Sequence, residues 1–155
     1  MKRFAELIAE CLSQVEELLP WDLKDRLDAS PVPLLLDIRE PYEFEAMHIQ
    51  GSLNVPRGIL ESACEYDYEE TVPELVEARD REIIVICRSG NRSVLAAYTL
   101  QLMGYQHVHS LKTGLRGWND YEQPLIDPSG KLVSLERADE YFLPRLSPSQ
   151  LKPKL

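Results

Sequence analysis

The stretch "IIVICRSGNRSVLAAYTLQLMGY", residues 83–105, passes from an unbroken apolar run through a short polar loop into helical spacing. An apolar run without alternation, "EIIVI" at 82–86, is the mark of a strand buried on both faces. Ser93 to Met103 reads as a helix, with Gly104 as its C-terminal stop. Between strand and helix sit Cys87, Arg88, Ser89, Gly90, Asn91 and Arg92.

Outward from this stretch, strands and helices alternate. "PLLLDI" at 33–38 is a second two-faced strand, "GSLNVP" holds a small one, and "HVHSL" at 107–111 suits another. Residues 40–49 form a short helix with Pro41 in its first turn, and residues 57–79 are mostly helical. "TGLRGW" turns into a last short helix. Upstream, Phe4, Leu7, Ile8, Cys11, Leu12, Val15, Leu18 and Leu19 recur at helical spacing, which predicts one amphipathic helix from Arg3 to Leu19, ended by Pro20. "PWDLKDRLDAS" adds a second helical turn before Pro31 and Pro33. The pattern predicts an α/β domain with a mainly parallel sheet, whose sites lie beyond the carboxyl ends of its strands. Asp37 and Cys87 both hold that position. The organisation expected is an N-terminal helical segment over 1–30, a catalytic domain over 31–124 and an extension over 125–155. That extension carries one packed turn near Ala138 to Phe142 and a flexible end.

The loop has the composition of an anion site. Thiolate is the reactive form of cysteine, and Arg88 and Arg92 place positive charge within a few residues of it. The helix that follows offers unpaired amides at its N-terminus. Ser89, Gly90 and Asn91 permit the curvature that turns successive N–H groups inward as a nest. A buried strand-end thiol is the plainer reading of Cys87 alone, but the company it keeps favours a nucleophile.

The bulk numbers narrow the partners. The chain has 155 residues, 44% hydrophobic and 28% charged, enough for one globular core and without an apolar run of membrane-spanning length. Its net charge of -9 excludes nucleic acid as the main partner. The acidic stretch "ESACEYDYEE" at 61–70 reads as a solvated face, with partner docking as the sharper alternative. Glutamates interrupt the N-terminal apolar pattern, so no secretory signal is read there and a cytoplasmic protein is expected. Three cysteines at wide spacing make neither a disulfide framework nor a zinc site. Cys11 reads as a small hydrophobe, and neighbouring carboxylates are expected to raise the Cys64 thiol. His107 and His109 have no acidic partner in sequence, so no metal or other cofactor is expected.

"DIREPYEFEAMHIQGSLNVP" at 37–56, the stretch at 83–105 and "LKTGLRGW" at 111–118 together resemble the successive signatures of a single-domain rhodanese. The resemblance spans Pro33 to Tyr121 and implies a rhodanese-like three-layer α/β fold. It implies that Cys87 carries sulfur as a persulfide, in an active-site loop of Arg88, Ser89, Gly90, Asn91 and Arg92, with Ser93 next to it. Arg88 and Arg92 would bind an anionic donor, thiosulfate or a persulfide, and the acceptor would be cyanide, a thiol or a protein of a sulfur relay. His48, Gly51, Asn54 and Pro56 match a second motif, and Asp37, Arg39 and His48 are supporting residues. Asp37 reads as structural, Arg39 as either lining the site or forming a surface ion pair, and His48 as a hydrogen-bonded structural residue. Met47 and Thr113 depart from the small residues usual at those positions. Tyrosine phosphatases of the related fold enclose one residue more between cysteine and arginine than the four found here. The shorter ring suits a sulfur atom better than phosphate. A sulfurtransferase is therefore expected. The alternatives are a non-catalytic interaction module and, behind it, a phosphatase or arsenate reductase.

Overall fold

The computed structural model describes residues 1–155. In chain order the elements are α1 (Phe4–Leu12), β1 (Glu16–Leu18), α2 (Pro20–Leu27), β2 (Leu34–Asp37), α3 (Pro41–Ala46), β3 (Leu53–Asn54), α4 (Leu60–Ala63) and α5 (Pro73–Val76). There follow β4 (Glu82–Ile86), α6 (Arg92–Leu102), β5 (His107–Leu111), α7 (Gly114–Asp120) and α8 (Leu135–Tyr141). The strands form one five-stranded sheet in the order β1-β5-β4-β2-β3, parallel at every pairing.

Strand alternation splits the core in two. Leu34, Leu36, Ile83, Val85 and Cys87 face a cluster that includes Val94, Ala97 and Leu100 of α6 and Ile8 of α1. Leu35, Ile84, Ile86 and Leu111 face the other way, onto Leu23 of α2, Leu115 and Trp118 of α7, and Ala138 and Phe142. Helices thus cover both sides of the sheet, which is why its central strands read as continuous apolar runs. Trp118 seats α7 with its ring, 2% exposed, while its Nε1 donates to Pro124 O at 3.0 Å.

The N-terminal region corrects the single helix expected from Arg3 to Leu19. The helix stops at Leu12, and Glu16–Leu18 instead forms β1, with Glu16 beside His109 and Leu18 beside Leu111. The edge of β5 would otherwise present unpaired amides and carbonyls, and β1 satisfies them. Lys112 N extends the pairing by donating to Leu18 O at 2.8 Å. The strand also gives His109 the acidic neighbour it lacked in sequence, with Nε2 at 3.2 Å from a Glu16 carboxylate oxygen. Residues 57–79 are less helical than their composition suggests, holding only a short 3-10 turn, α4 and α5. Beyond Pro124, Ile126 bridges both His48 and Leu132, and α8 is a longer helix than the expected turn, with Ala138 and Phe142 buried.

Asp37 and Arg39 form a buried ion pair, both without solvent exposure, rather than the exposed pair considered for Arg39. Arg39 Nη2 lies 2.8 Å from Asp37 Oδ2, and Arg39 Nε donates to Oδ1 at 3.0 Å. The guanidinium also donates to the carbonyls of Glu43 and Met47, so it ties the end of β2 to α3. Asn54 Nδ2 bridges the carbonyls of Asp37 and Arg39 from β3. Removing one member of such a pair strands the other. Arg39→Ala is therefore expected to cost about 3–5 kcal/mol, read as a lowered urea midpoint at unchanged slope. A loss under about 1 kcal/mol is what a solvent-exposed pair would give and would refute the anchoring role.

Candidate active site

β4 delivers Cys87 to the carboxyl edge of the sheet, where its side chain is 1% exposed. The chain then curls back over the sulfur before α6 begins at Arg92. Gly90 N–H donates to Cys87 Sγ at 3.2 Å, and Ser93 N–H, in the first turn of α6, donates at 3.4 Å. Ser93 Oγ lies 3.3 Å from the sulfur and 2.7 Å from Ser110 Oγ on β5. A thiolate would thus accept from two amides and a hydroxyl, and Ser110 can donate to Ser93 while Ser93 donates to sulfur.

The α7 turn holds this curl in place. Leu115 N–H donates to Cys87 O at 2.9 Å, and Arg116 N–H donates to Arg88 O at 3.0 Å. Backbone meets backbone here without room for a side chain. A Cβ on Gly114 would lie 2.5 Å from Cys87 O, and one on Gly90 would lie 2.8 Å from Thr113 N. Both glycines have positive φ, +59° and +85°. Thr113 also takes a left-handed φ of 66°, a conformation costing a β-branched residue about 1–2 kcal/mol that glycine would avoid. The departure at this position is absorbed as local strain, and α7 still seats.

The loop arginines have different surroundings. Arg92 Nη1 and Nη2 grip the two carboxylate oxygens of Glu43 at 2.9 and 3.0 Å. Glu43 is 7% exposed. Burial pushes its carboxyl up, but hydrogen bonds from Arg92 and the Glu40 amide, with the charges of Arg92 and Arg39, hold it below its ordinary value. The hydrogen bond to Glu43 in turn raises Arg92. Arg88 points instead toward the C-terminal segment, where Nη2 donates to Leu143 O at 3.3 Å. Phe4 of α1 joins Cys87, Arg88, Ser89, Asn91 and Arg92 around a depression of about 290 Å³.

The remaining candidates lie elsewhere. His48 stacks on Phe44 at 3.8 Å, and its Nδ1 is 2.8 Å from Phe44 O. Asp37 and Arg39 sit beneath the site without lining the depression. Cys64 is fully buried, and burial is the largest cause of its raised thiol, with Glu61 and Glu65 contributing less. Cys11 is partly buried against the α6 side of the core. The sequence reading missed Glu43, Ser110 and Phe4. None of the three carried a usable signal in sequence: the place of Ser110 shows only once the register is known, where it pairs with Val85, which shares a face with Cys87.

Residues 19–121 match the family model described as Rhodanese-like domain. A sulfurtransferase of Allochromatium vinosum is 30% identical over 116 residues, covering 75% of this chain and 99% of that protein. A Bacillus subtilis protein named as a candidate sulfur carrier, YrkF, is 31% identical over 118 residues, or 76% of this chain. The matched region spans 58% of that relative's length. Among solved structures, a Rhodopseudomonas palustris protein of unknown function, described as a possible tyrosine phosphatase, superposes with a TM-score of 0.74 at 29% identity. That superposition covers 81% of this chain and 96% of the other.

The Glu43–Arg92 pair predicts a pH-dependent stability. A carboxyl held below its ordinary 4.5 in the folded state stabilises fully above that value, and the contribution is lost as pH falls through the lowered one. Wild type should exceed Glu43→Gln in urea midpoint at neutral pH, and the two curves should converge in acid. Parallel curves down to the acid limit would exclude the pairing as a source of stability.

Proposed function

Because the chain belongs to the rhodanese-like domain family, we propose that it is a sulfurtransferase that carries sulfane sulfur on Cys87. The observation that carries the reading is the convergence of the Gly90 and Ser93 amides and the Ser93 hydroxyl on one buried sulfur at a solvent-facing depression. Such donors stabilise an anion on sulfur before and after it gains a second sulfur atom, because they are already aimed.

The reaction has two halves. Cys87 thiolate attacks the outer sulfur of thiosulfate, the sulfur–sulfur bond of the donor breaks, and sulfite leaves with the bonding pair. Cys87 now bears a terminal anionic sulfur. Cyanide or a thiolate attacks that sulfur and departs as thiocyanate or a new persulfide, which returns Cys87 as thiolate. No net oxidant or reductant is consumed. The relative named for sulfur carriage supports a persulfide on another protein as donor or acceptor. A carrier also suits an acidic molecule, whose overall field slows the approach of a free dianion. The structural neighbour described as a possible tyrosine phosphatase raises a second chemistry, but four residues between Cys87 and Arg92 leave a small ring of amides.

Wild-type protein is expected to form thiocyanate from thiosulfate and cyanide, and to gain the mass of one sulfur atom with thiosulfate alone. Cys87→Ser should do neither, while Cys11→Ser should retain both. Equal rates in wild type and Cys87→Ser would overturn the assignment. Hydrolysis of p-nitrophenyl phosphate without thiocyanate formation would favour the phosphatase chemistry.

A further inference from the structure

The loop's two arginines are held by opposite kinds of partner. Arg92 is clasped by a carboxylate, which compensates its charge. Arg88 has no carboxylate within ion-pair distance. Its guanidinium carbon lies 5.7 Å from the centroid of Phe142 and 5.9 Å from that of Tyr141, besides the hydrogen bond to Leu143 O. The two rings meet edge-on at 5.2 Å and 86°. Rings and a carbonyl fix a guanidinium without neutralising it, and they leave its other N–H groups free.

All three holding residues lie outside the family match, which ends at Tyr121. Their segment is nonetheless firmly seated. Phe142 is 3% and Ala138 is 2% exposed in the core that contains Leu115 and Trp118. Asn119 Nδ2 donates to Asp139 Oδ1 at 2.6 Å, and Arg137 reaches back to Ala46 O. The same helix, α7, therefore supports both the loop carbonyls and the segment that holds Arg88.

We propose that Tyr141, Phe142 and Leu143 of the C-terminal extension are positioning residues that hold the Arg88 guanidinium, unpaired with any carboxylate, at the mouth of the Cys87 site, so that recognition of an anionic donor depends on them. The choice of thiosulfate as probe rests on the sulfurtransferase reading; the positioning itself does not.

The test uses the full chain. Tyr141→Leu/Phe142→Leu keeps apolar side chains in place but removes both rings, and Tyr141→Leu alone spares the buried Phe142. With thiosulfate, the double variant should lose about three- to tenfold in kcat/KM through a raised KM, with kcat within about twofold, and the single variant about half of that effect on a logarithmic scale. The ratio of Cys87 alkylation rates by iodoacetate and iodoacetamide should fall in the same order, since both reagents meet the same thiolate and only one is an anion. In an Arg88→Ala background neither substitution should change either readout further. Unchanged ratios and KM in folded variants, or equal losses with and without Arg88, would overturn the proposal. If wild type fails to turn over thiosulfate, thiosulfate fails as the donor, and the alkylation ratios alone decide the role of the extension.

Discussion

The site depends on one constraint: the curl that brings the Gly90 and Ser93 amides to the sulfur starts from two peptides whose carbonyls, Cys87 and Arg88, are held from behind by the α7 turn. Across a trans peptide the C=O and the next N–H point in opposite directions. The Cys87 and Arg88 carbonyls face α7, where Leu115 and Arg116 donate to them, so the first two peptides of the loop are fixed with their N–H groups, those of Arg88 and Ser89, turned from α7. The contact needs backbone at van der Waals distance, which is why Gly90 and Gly114 stand opposite one another. Position 113 tolerates a threonine at the cost of strain, whereas Gly114 admits no side chain at all. The loop and the α7 turn are thus a single structure made from two stretches of sequence.

The parts of the fold that could be read in advance are those whose burial is symmetric. β2 and β4 lie between helices on both faces, so each leaves a continuous apolar run that no surface helix imitates. β1 lies at the sheet's edge and is three residues long. Its Leu18 and the flanking Val15 and Leu19 fall on the same spacing as the apolar stripe of α1, and Ser13 and Gln14 carry no strong helix-stop signal. What makes it a strand is its partner β5, which lies far along the chain. The same distance hid the pairing of Glu16 with His109, visible only once the register is known.

A similar division runs through the site. Cys87, the loop and Ser93 occupy one contiguous stretch, and their chemistry shows in their order. Glu43, Ser110 and the aromatic pair Tyr141 and Phe142 act across the fold, and each has an adequate local explanation. Glu43 caps its own helix by accepting from the Glu40 amide. Ser110 sits in a strand of weak alternation, and Tyr141 and Phe142 close a short packed helix. A residue with a satisfied local role gives no sign of a distant one.

The distant residues settle the electrostatics that an incoming anion meets. Beneath and beside the loop stand two carboxylates, Asp37 and Glu43, and two guanidiniums, Arg39 and Arg92, each joined to its partner at hydrogen-bond distance. Their formal charges cancel, so this quartet, buried except for Arg92, supplies rigidity and little net field. Two terms then remain at the sulfur. One is the set of fixed dipoles, the Gly90 and Ser93 amides and the hydroxyl chain through Ser110, which act at short range on a sulfur shielded from solvent. The other is Arg88, whose aromatic and carbonyl contacts leave its charge intact at the rim. On a protein of net charge -9, that uncompensated guanidinium is the local exception to a repulsive field. In the proposed sulfurtransferase, stabilising the anion on sulfur and admitting an anion from solvent are therefore separate tasks, placed on separate groups, and the second belongs to a side chain held from outside the family core.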